Sequence, residues 1–133
     1  MNDKPEYPYN ADQLAWLHDL ETTEEPQCTE HLHSTGTDMA YGFCCLGRAC
    51  IVLGVQETDD EGPYVEYDGD PQILTEPTIK RLRLRGTNGD FRVPDDGASC
   101  LTDMNDKGKS FKQIAAYIRT NPWNVFYDPE DGA

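Results

Sequence analysis

Positive charge is scarce in the first half of this sequence. Residues 1–70 hold 16 acids against only Lys4 and Arg48, whereas residues 71–133 hold nine acids and nine bases. The formal net charge of −14 therefore resides in the first half. A surface of that sign repels nucleic-acid phosphates and anionic lipid, so general nucleic-acid binding is disfavoured. The acidity reads first as solubility. Mimicry of a nucleic acid would need ordered rows of carboxylates, and these acids fall in loops. Apolar residues are also in short supply, at 37%, which predicts a modest core. No apolar run approaches the ~20 residues a membrane span needs. The start, Met1-Asn2-Asp3-Lys4-Pro5-Glu6, lacks the basic-then-apolar layout of a secretory leader. The expectation is a protein of the cytoplasm, its own or a host's.

The five cysteines, Cys28, Cys44, Cys45, Cys50 and Cys100, are odd in number, and two are adjacent. That is no disulfide framework. Cysteine otherwise behaves as a small buried hydrophobe.

Hydrophobic spacing predicts a mainly α (α+β) fold: a compact single domain of four or five short helices with a small β-hairpin element. Residues 1–9 read as a flexible arm, 10–127 as the globular domain and 128–133 as an acidic tail. Asn10 caps a helix through about Glu21, with Leu14, Trp16, Leu17 and Leu20 as its apolar stripe. Residues 42–54 are the most apolar segment and read as a buried helix ending near Gly54. Gly47 within it costs ~1 kcal/mol of propensity, which points to a closely packed neighbouring backbone. Tyr64 to Tyr67 alternate as a short strand. Thr75-Glu76-Pro77 starts a short helix through Leu84. Phe91 and Val93 suit a small strand, and residues 98–104 read as another short helix. Ser110 caps the clearest helix, 111–119, with Phe111, Ile114, Ala115 and Ile118 on one face. Asn121-Pro122 stops it, and Trp123, Val125, Phe126 and Tyr127 are too apolar for a free tail.

Two segments carry a resemblance. Gly42-Phe43-Cys44-Cys45-Leu46-Gly47-Arg48-Ala49-Cys50 is one. The other is Leu101-Thr102-Asp103-Met104-Asn105-Asp106, with Gly108 and then Ser110-Phe111 and Ile114-Ala115. In this order they resemble a group of small accessory proteins of bacteriophages and prophages, in which a Gln and a Leu often precede the Cys pair, as Gln27 and Leu32 do here. Arg48 departs from the pattern, where an apolar residue is usual, and Cys28, His31 and His33 lie outside it. The resemblance implies a phage accessory protein acting in the host cytoplasm rather than a virion part, and it implies no reaction.

Three chemistries compete. Cys28, His31 and His33 lie within six residues, and Cys44 follows, so they form a candidate zinc set, since zinc takes four Cys or His ligands. Adjacent cysteines on a helix point about 100° apart, so Cys44 and Cys45 do not serve as one pair. The bland alternative is core cysteines with surface histidines, and no cofactor. No nucleophile elbow accompanies the cysteines, and thiols in an apolar helix are inert, so no catalytic residue is assigned. The loop acids, such as Asp59, Asp60, Glu61, Asp95 and Asp96, lack the order of a calcium loop and read as solvated charge.

The most informative anomaly is basic. Lys80, Arg81, Arg83, Arg85 and Arg92 gather within 13 residues of an acidic protein. If the helix runs on, Arg81 and Arg85 share one side. Arginine forks grip phosphate or carboxylate, and Tyr64, Tyr67, Phe91 and Trp123 are available to stack a base. The candidate ligand-binding set is Arg81, Arg83, Arg85, Arg92 and Trp123, holding a small anionic, nucleotide-like defence signal. Two other uses are pairing of the strip with the acidic half, within or between copies of the chain in a homo-oligomer, and inhibition of a host protein through the acidic face.

Overall fold

The computed structural model describes residues 6–37, 40–95 and 97–130. Helix α1, Ala11–Thr22, opens on a reciprocal cap. Asn10 Oδ1 accepts from the Gln13 amide at 2.7 Å, and Gln13 Oε1 accepts from the Asn10 amide at 2.8 Å. Its buried stripe is Gln13, Trp16, Leu17 and Leu20, spaced i, i+3, i+4, i+7. Leu14 is out of phase with that stripe and is 44% exposed, which corrects its expected place in the core. Gln13 takes the inward position because its side-chain amide donates to Leu82 O at 2.9 Å.

A short antiparallel pair follows, β1 (His33–Ser34) with β2 (Gly42–Phe43). The buried helix α2 is therefore Cys45–Leu53, beginning later than the apolar run suggests. Cys44 is its N-cap, its Sγ accepting from the Gly47 amide at 3.3 Å, and Gly54 closes it with φ 68°. The close approach expected at Gly47 is present. A Cβ built there would lie 1.8 Å from Leu32 O, the same carbonyl that accepts from the Cys44 amide at 3.0 Å.

Strand β3 (Glu57–Asp59) pairs antiparallel with β4 (Glu66–Tyr67), forming the expected hairpin element. Helix α3 (Glu76–Leu82) stops two residues short of expectation because Arg83 adopts a left-handed conformation, φ 56°. Leu84 then pairs with Phe126 across an isolated antiparallel bridge. Strand β5 (Asp90–Asp95) pairs with β6 (Ala98–Cys100), so the helix read from residue 98 starts at residue 101 as α4, Leu101–Asp106. Helix α5 (Phe111–Thr120) carries the second capping box, Ser110 with Gln113, and α6 is Pro122–Val125. Six helices and three two-stranded antiparallel sheets among the described residues make the fold mixed α+β rather than mainly helical.

The core runs from Tyr7 to Phe126. Trp16, fully buried, donates its indole N–H to Cys45 O at 2.9 Å, joining α1 to α2. Residues 1–9 are not a loose arm as far as they are described. Tyr7 is 3% exposed, packs edge-on against Trp123 at 4.8 Å and donates its hydroxyl to Tyr127 O at 2.8 Å. Packing of the Tyr7 ring against Trp123 and Phe126 outweighs the two prolines that suggested an arm, because each ring buries a large apolar area. The C-terminal aromatics fold back as expected, with Val125 and Phe126 fully buried. Residues 1–5 and 131–133 of the expected arm and tail lie outside the described residues.

Candidate functional site

The basic strip begins on α3 and ends on β5, and the left-handed turn at Arg83 splits it. Because the helix ends at Leu82, Arg81 and Arg85 are not one helical turn apart and do not share a face, which corrects the i, i+4 expectation. Arg81 turns toward α1, with Nε donating to Asp12 Oδ2 at 3.0 Å and Nη1 to Leu53 O at 3.1 Å. Arg83 donates to Pro8 O at 3.1 Å. Arg85 donates from Nη2 to both Trp123 O, at 3.1 Å, and Phe126 O, at 3.0 Å. Arg92 is exposed on β5. Trp123 is half-buried with its ring against Tyr7. The five residues therefore do not converge on one anion. Three of the four arginines fasten the chain to itself, using their forks on carbonyl oxygens left over at helix ends and loops. The Arg81–Asp12 pair joins the basic strip to the acidic half within one chain, as the Coulombic alternative anticipated.

One part of the strip does border a cavity. Between α3 and the C-terminal segment lies an open groove of about 670 Å³, within the ~300–1,000 Å³ range of small-molecule sites. Ile79 and Leu84, both buried, give it an apolar floor. Glu76, Lys80 and Arg85, all exposed, bring one carboxylate and two cations, and Tyr127 brings an aromatic side chain. Glu76 and Lys80 approach to 3.9 Å as an i, i+4 pair with both side chains 71% exposed, a contact of little energy in water. The wall toward the C-terminus is fixed by backbone pairing, since the Tyr127 amide donates to Arg83 O at 2.9 Å. Of the five residues chosen from sequence, only Arg85 lines this groove. Glu76 and Tyr127 escaped notice: an acid in the first turn of a helix reads as a dipole partner, and Tyr127 is 42 positions from Arg85. The only signal for Tyr127 was that its segment is too apolar to be a tail.

The cysteine and histidine cluster is engaged differently. Cys28 Sγ lies 3.4 Å from His31 O, and Cys44 Sγ caps α2. The His31 ring stacks flat on Tyr64, centroids 3.5 Å apart. The His33 ring stacks on Phe43 at 3.9 Å, and its Nδ1 is 2.8 Å from the Tyr67 hydroxyl. Among the described residues no three His, Cys, Asp or Glu side chains are grouped as a metal-ligand set. Two ring nitrogens, His31 Nδ1 and His33 Nε2, are buried without a partner among those residues. Burial pushes the thiols of Cys44 and Cys50 up to about 12 and that of Cys45 well above its ordinary value. Cys28 is also raised by burial. Burial holds the His33 imidazole below its ordinary value.

The two sequence motifs meet in space. Asn105, 1% exposed, accepts at Oδ1 from the Cys45 amide at 3.1 Å and from Gln27 Nε2 at 2.8 Å, and donates from Nδ2 to Cys28 O at 2.7 Å. Asp106 Oδ1 accepts from the Glu30 amide at 3.0 Å, where Glu30 has φ 69°. Asn105 thus ties its own helix to the Gln27–Cys28 segment and to the start of α2. No protein-family model matches this chain, no curated protein matches its sequence, and no solved structure matches its fold. The phage resemblance accordingly rests on the two motifs, whose apolar residues and Asn105 are buried in the core and none of whose residues is among those lining the groove.

Proposed function

We propose that this is a non-enzymatic phage accessory protein of the host cytoplasm that takes up a small anionic, nucleotide-like molecule in the groove between α3 and the C-terminal segment. The observation that carries the reading is the composition of that groove: an apolar floor of Ile79 and Leu84, flanked by Lys80 and Arg85 and lined by Tyr127. An apolar surface with a few convergent polar groups is the usual make-up of a small-molecule site. The ammonium of Lys80 and the guanidinium of Arg85 attract a phosphate, and a planar base covers Ile79 and Leu84.

The test is calorimetric titration with a panel of mononucleotides and cyclic nucleotides, repeated on Lys80→Glu. Lys80 is 71% exposed along its side chain and its only ion pair among the described residues is the weak one with Glu76, so the substitution leaves the fold intact. Binding by the parent protein and its loss in Lys80→Glu support the reading. A panel with no binder at millimolar concentration sinks it.

A second reading has its own observation. Strand β3 and the turn after it expose Glu57, Asp59, Asp60 and Glu61 together, which suits an acidic module that docks on a basic host protein. Capture of a basic partner from host lysate that weakens as salt rises would favour it.

A further inference from the structure

We infer that His33 is an acid-operated latch on the β3–β4 arm, releasing that arm from the body of the fold when its ring takes up a proton. The arm, residues 57–67, carries the exposed acids Glu57, Asp59, Asp60 and Glu61, and within it only Val65 and Tyr67 are buried. His33 holds both. Its carbonyl accepts from the Val65 amide at 2.9 Å, and its Nδ1 lies 2.8 Å from the Tyr67 hydroxyl.

The place suits a neutral ring. With Nδ1–H donating to Tyr67, Nε2 is the bare nitrogen, buried and without a partner among the described residues. An imidazolium carries an N–H on both nitrogens. Its Nε2–H would be buried with no acceptor, and its charge would be held away from water. The Phe43 ring that stacks on His33 at 3.9 Å also lies under the Arg48 guanidinium, 4.7 Å from its centroid. Arg48 repels a second cation there, although Asp19 answers its own charge. Glu25 pulls the other way, and burial outweighs it. Tyr41 meets the His33 ring edge-on at 5.5 Å. Burial raises the Tyr41 and Tyr67 hydroxyls, with Glu57 of β3 acting on Tyr67, so both phenols are neutral in this range. A protonated His33 therefore satisfies its second N–H by turning toward water. That movement strips the Tyr67 hydroxyl of its partner and pulls on the backbone that holds Val65. Thr35, bonded to Gly62 O and Pro63 O, and the His31–Tyr64 stack keep the root of the arm attached as a hinge.

The experiment is hydrogen exchange read by mass spectrometry on the intact protein at pH 7.5 and pH 5.5. Rates are corrected for the intrinsic effect of pH, and α5 serves as the reference for global unfolding. The expected result is that the arm loses about three- to tenfold of its protection relative to α5 at the lower pH. Uptake of one proton at the ordinary histidine value of 6.5 sets that ceiling of about tenfold. His33→Phe keeps a ring to stack on Phe43, and its arm is expected to be equally protected at both pH values. Tyr67→Phe is expected to loosen the arm at pH 7.5 while α5 keeps its protection. Arm protection that ignores pH, or that falls only in step with α5, would overturn the latch. A pH response that survives in His33→Phe would overturn the role of His33. An arm in Tyr67→Phe as protected as the parent's would overturn the role of the hydroxyl.

Discussion

Asn105 Oδ1 stands 3.1 Å from the Cys45 amide, at the first residue of helix α2, across 60 positions of sequence. The same side chain reaches Cys28 O and the Gln27 carboxamide, so one buried amide fastens three segments. The arrangement uses all the geometry an Asn offers, an acceptor and a donor set side by side.

Asn105→Ala leaves the Cys45 N–H and the Cys28 carbonyl unpaired in the interior. A loss of about 3 kcal/mol in unfolding free energy is expected, since an unsatisfied buried polar group costs ~1–3 kcal/mol. Asn105→Asp keeps the acceptor, but loses the donor to Cys28 O and adds a charge in the core, so it is expected to be no better than Ala. Urea denaturation of both variants measures this, and a change under 1 kcal/mol in either would show that the junction does not hold the fold.

Gly47→Ala is expected to be more damaging than its helix propensity suggests. Alanine favours helix by ~1 kcal/mol over glycine, yet its Cβ would lie 1.8 Å from Leu32 O. Separating α2 from the Leu32 backbone also strains the Cys44 amide bond to the same carbonyl. A net loss of about 2–3 kcal/mol is expected, in the range of overpacked cores. Gly54→Ala, where nothing lies within 4 Å but φ is 68°, should lose only the ~1 kcal/mol of a left-handed alanine. Thermal melts of the two variants side by side test that order.

The thiols should be silent in the folded protein. At pH 8 a group with pKa about 12 carries on the order of 10³-fold less thiolate than one at 9, and thiolate is the reactive form. All five cysteines are free and buried. A disulfide exchange reagent is expected to find almost no rapid reaction in native protein and five fast equivalents once it is unfolded. One rapid native equivalent would contradict the burial described for that cysteine.

His33 gives stability a pH dependence of its own. Burial lowers its pKa below the ordinary 6.5, so the unfolded chain binds a proton before the folded one does. The stabilisation from keeping His33 neutral is complete above pH 6.5 and drains away as pH falls from there toward the folded-state value. The lowered carboxylates, Glu21 and Asp103, act in a separate window that begins below their ordinary values of 4.5 and 3.8. Chemical denaturation at intervals from pH 7.5 to 5 should therefore show a decline that His33→Phe removes. An unchanged slope in that variant would assign the titration elsewhere.

Local signals located most of the helices. Asn10 and Ser110 each announce a capping box, and Gly54 a left-handed stop, because caps are decided within a few residues. Boundaries shifted where tertiary pairing took residues from a helix. Gly42 and Phe43 joined β1, and residues 98–100 joined β5, although their composition suited a helix. The site was less legible. Composition drew attention to the basic strip, but whether an arginine meets solvent or a backbone carbonyl depends on which distant segment lies beneath it. Pro8, Leu53 and Phe126 decide that for Arg83, Arg81 and Arg85. Arg48 shows the same limit: a lone charge in an apolar helix, it is 8% exposed and forks onto Asp19 at 2.7 and 2.9 Å, a partner 29 positions away.

The hydrogen bond from Tyr7 to Tyr127 O brings positions 120 residues apart into direct contact. A short peptide linker could therefore join the segment at Tyr7 to the segment at Tyr127 without spanning the molecule, and the chain could be opened instead in the exposed turn around Asp60. Such a circularly rearranged chain would begin and finish far from the groove in sequence while holding its wall in one unbroken segment. It would also let a reporter be attached away from Tyr127, so that uptake of a ligand could be followed without a tag beside the site.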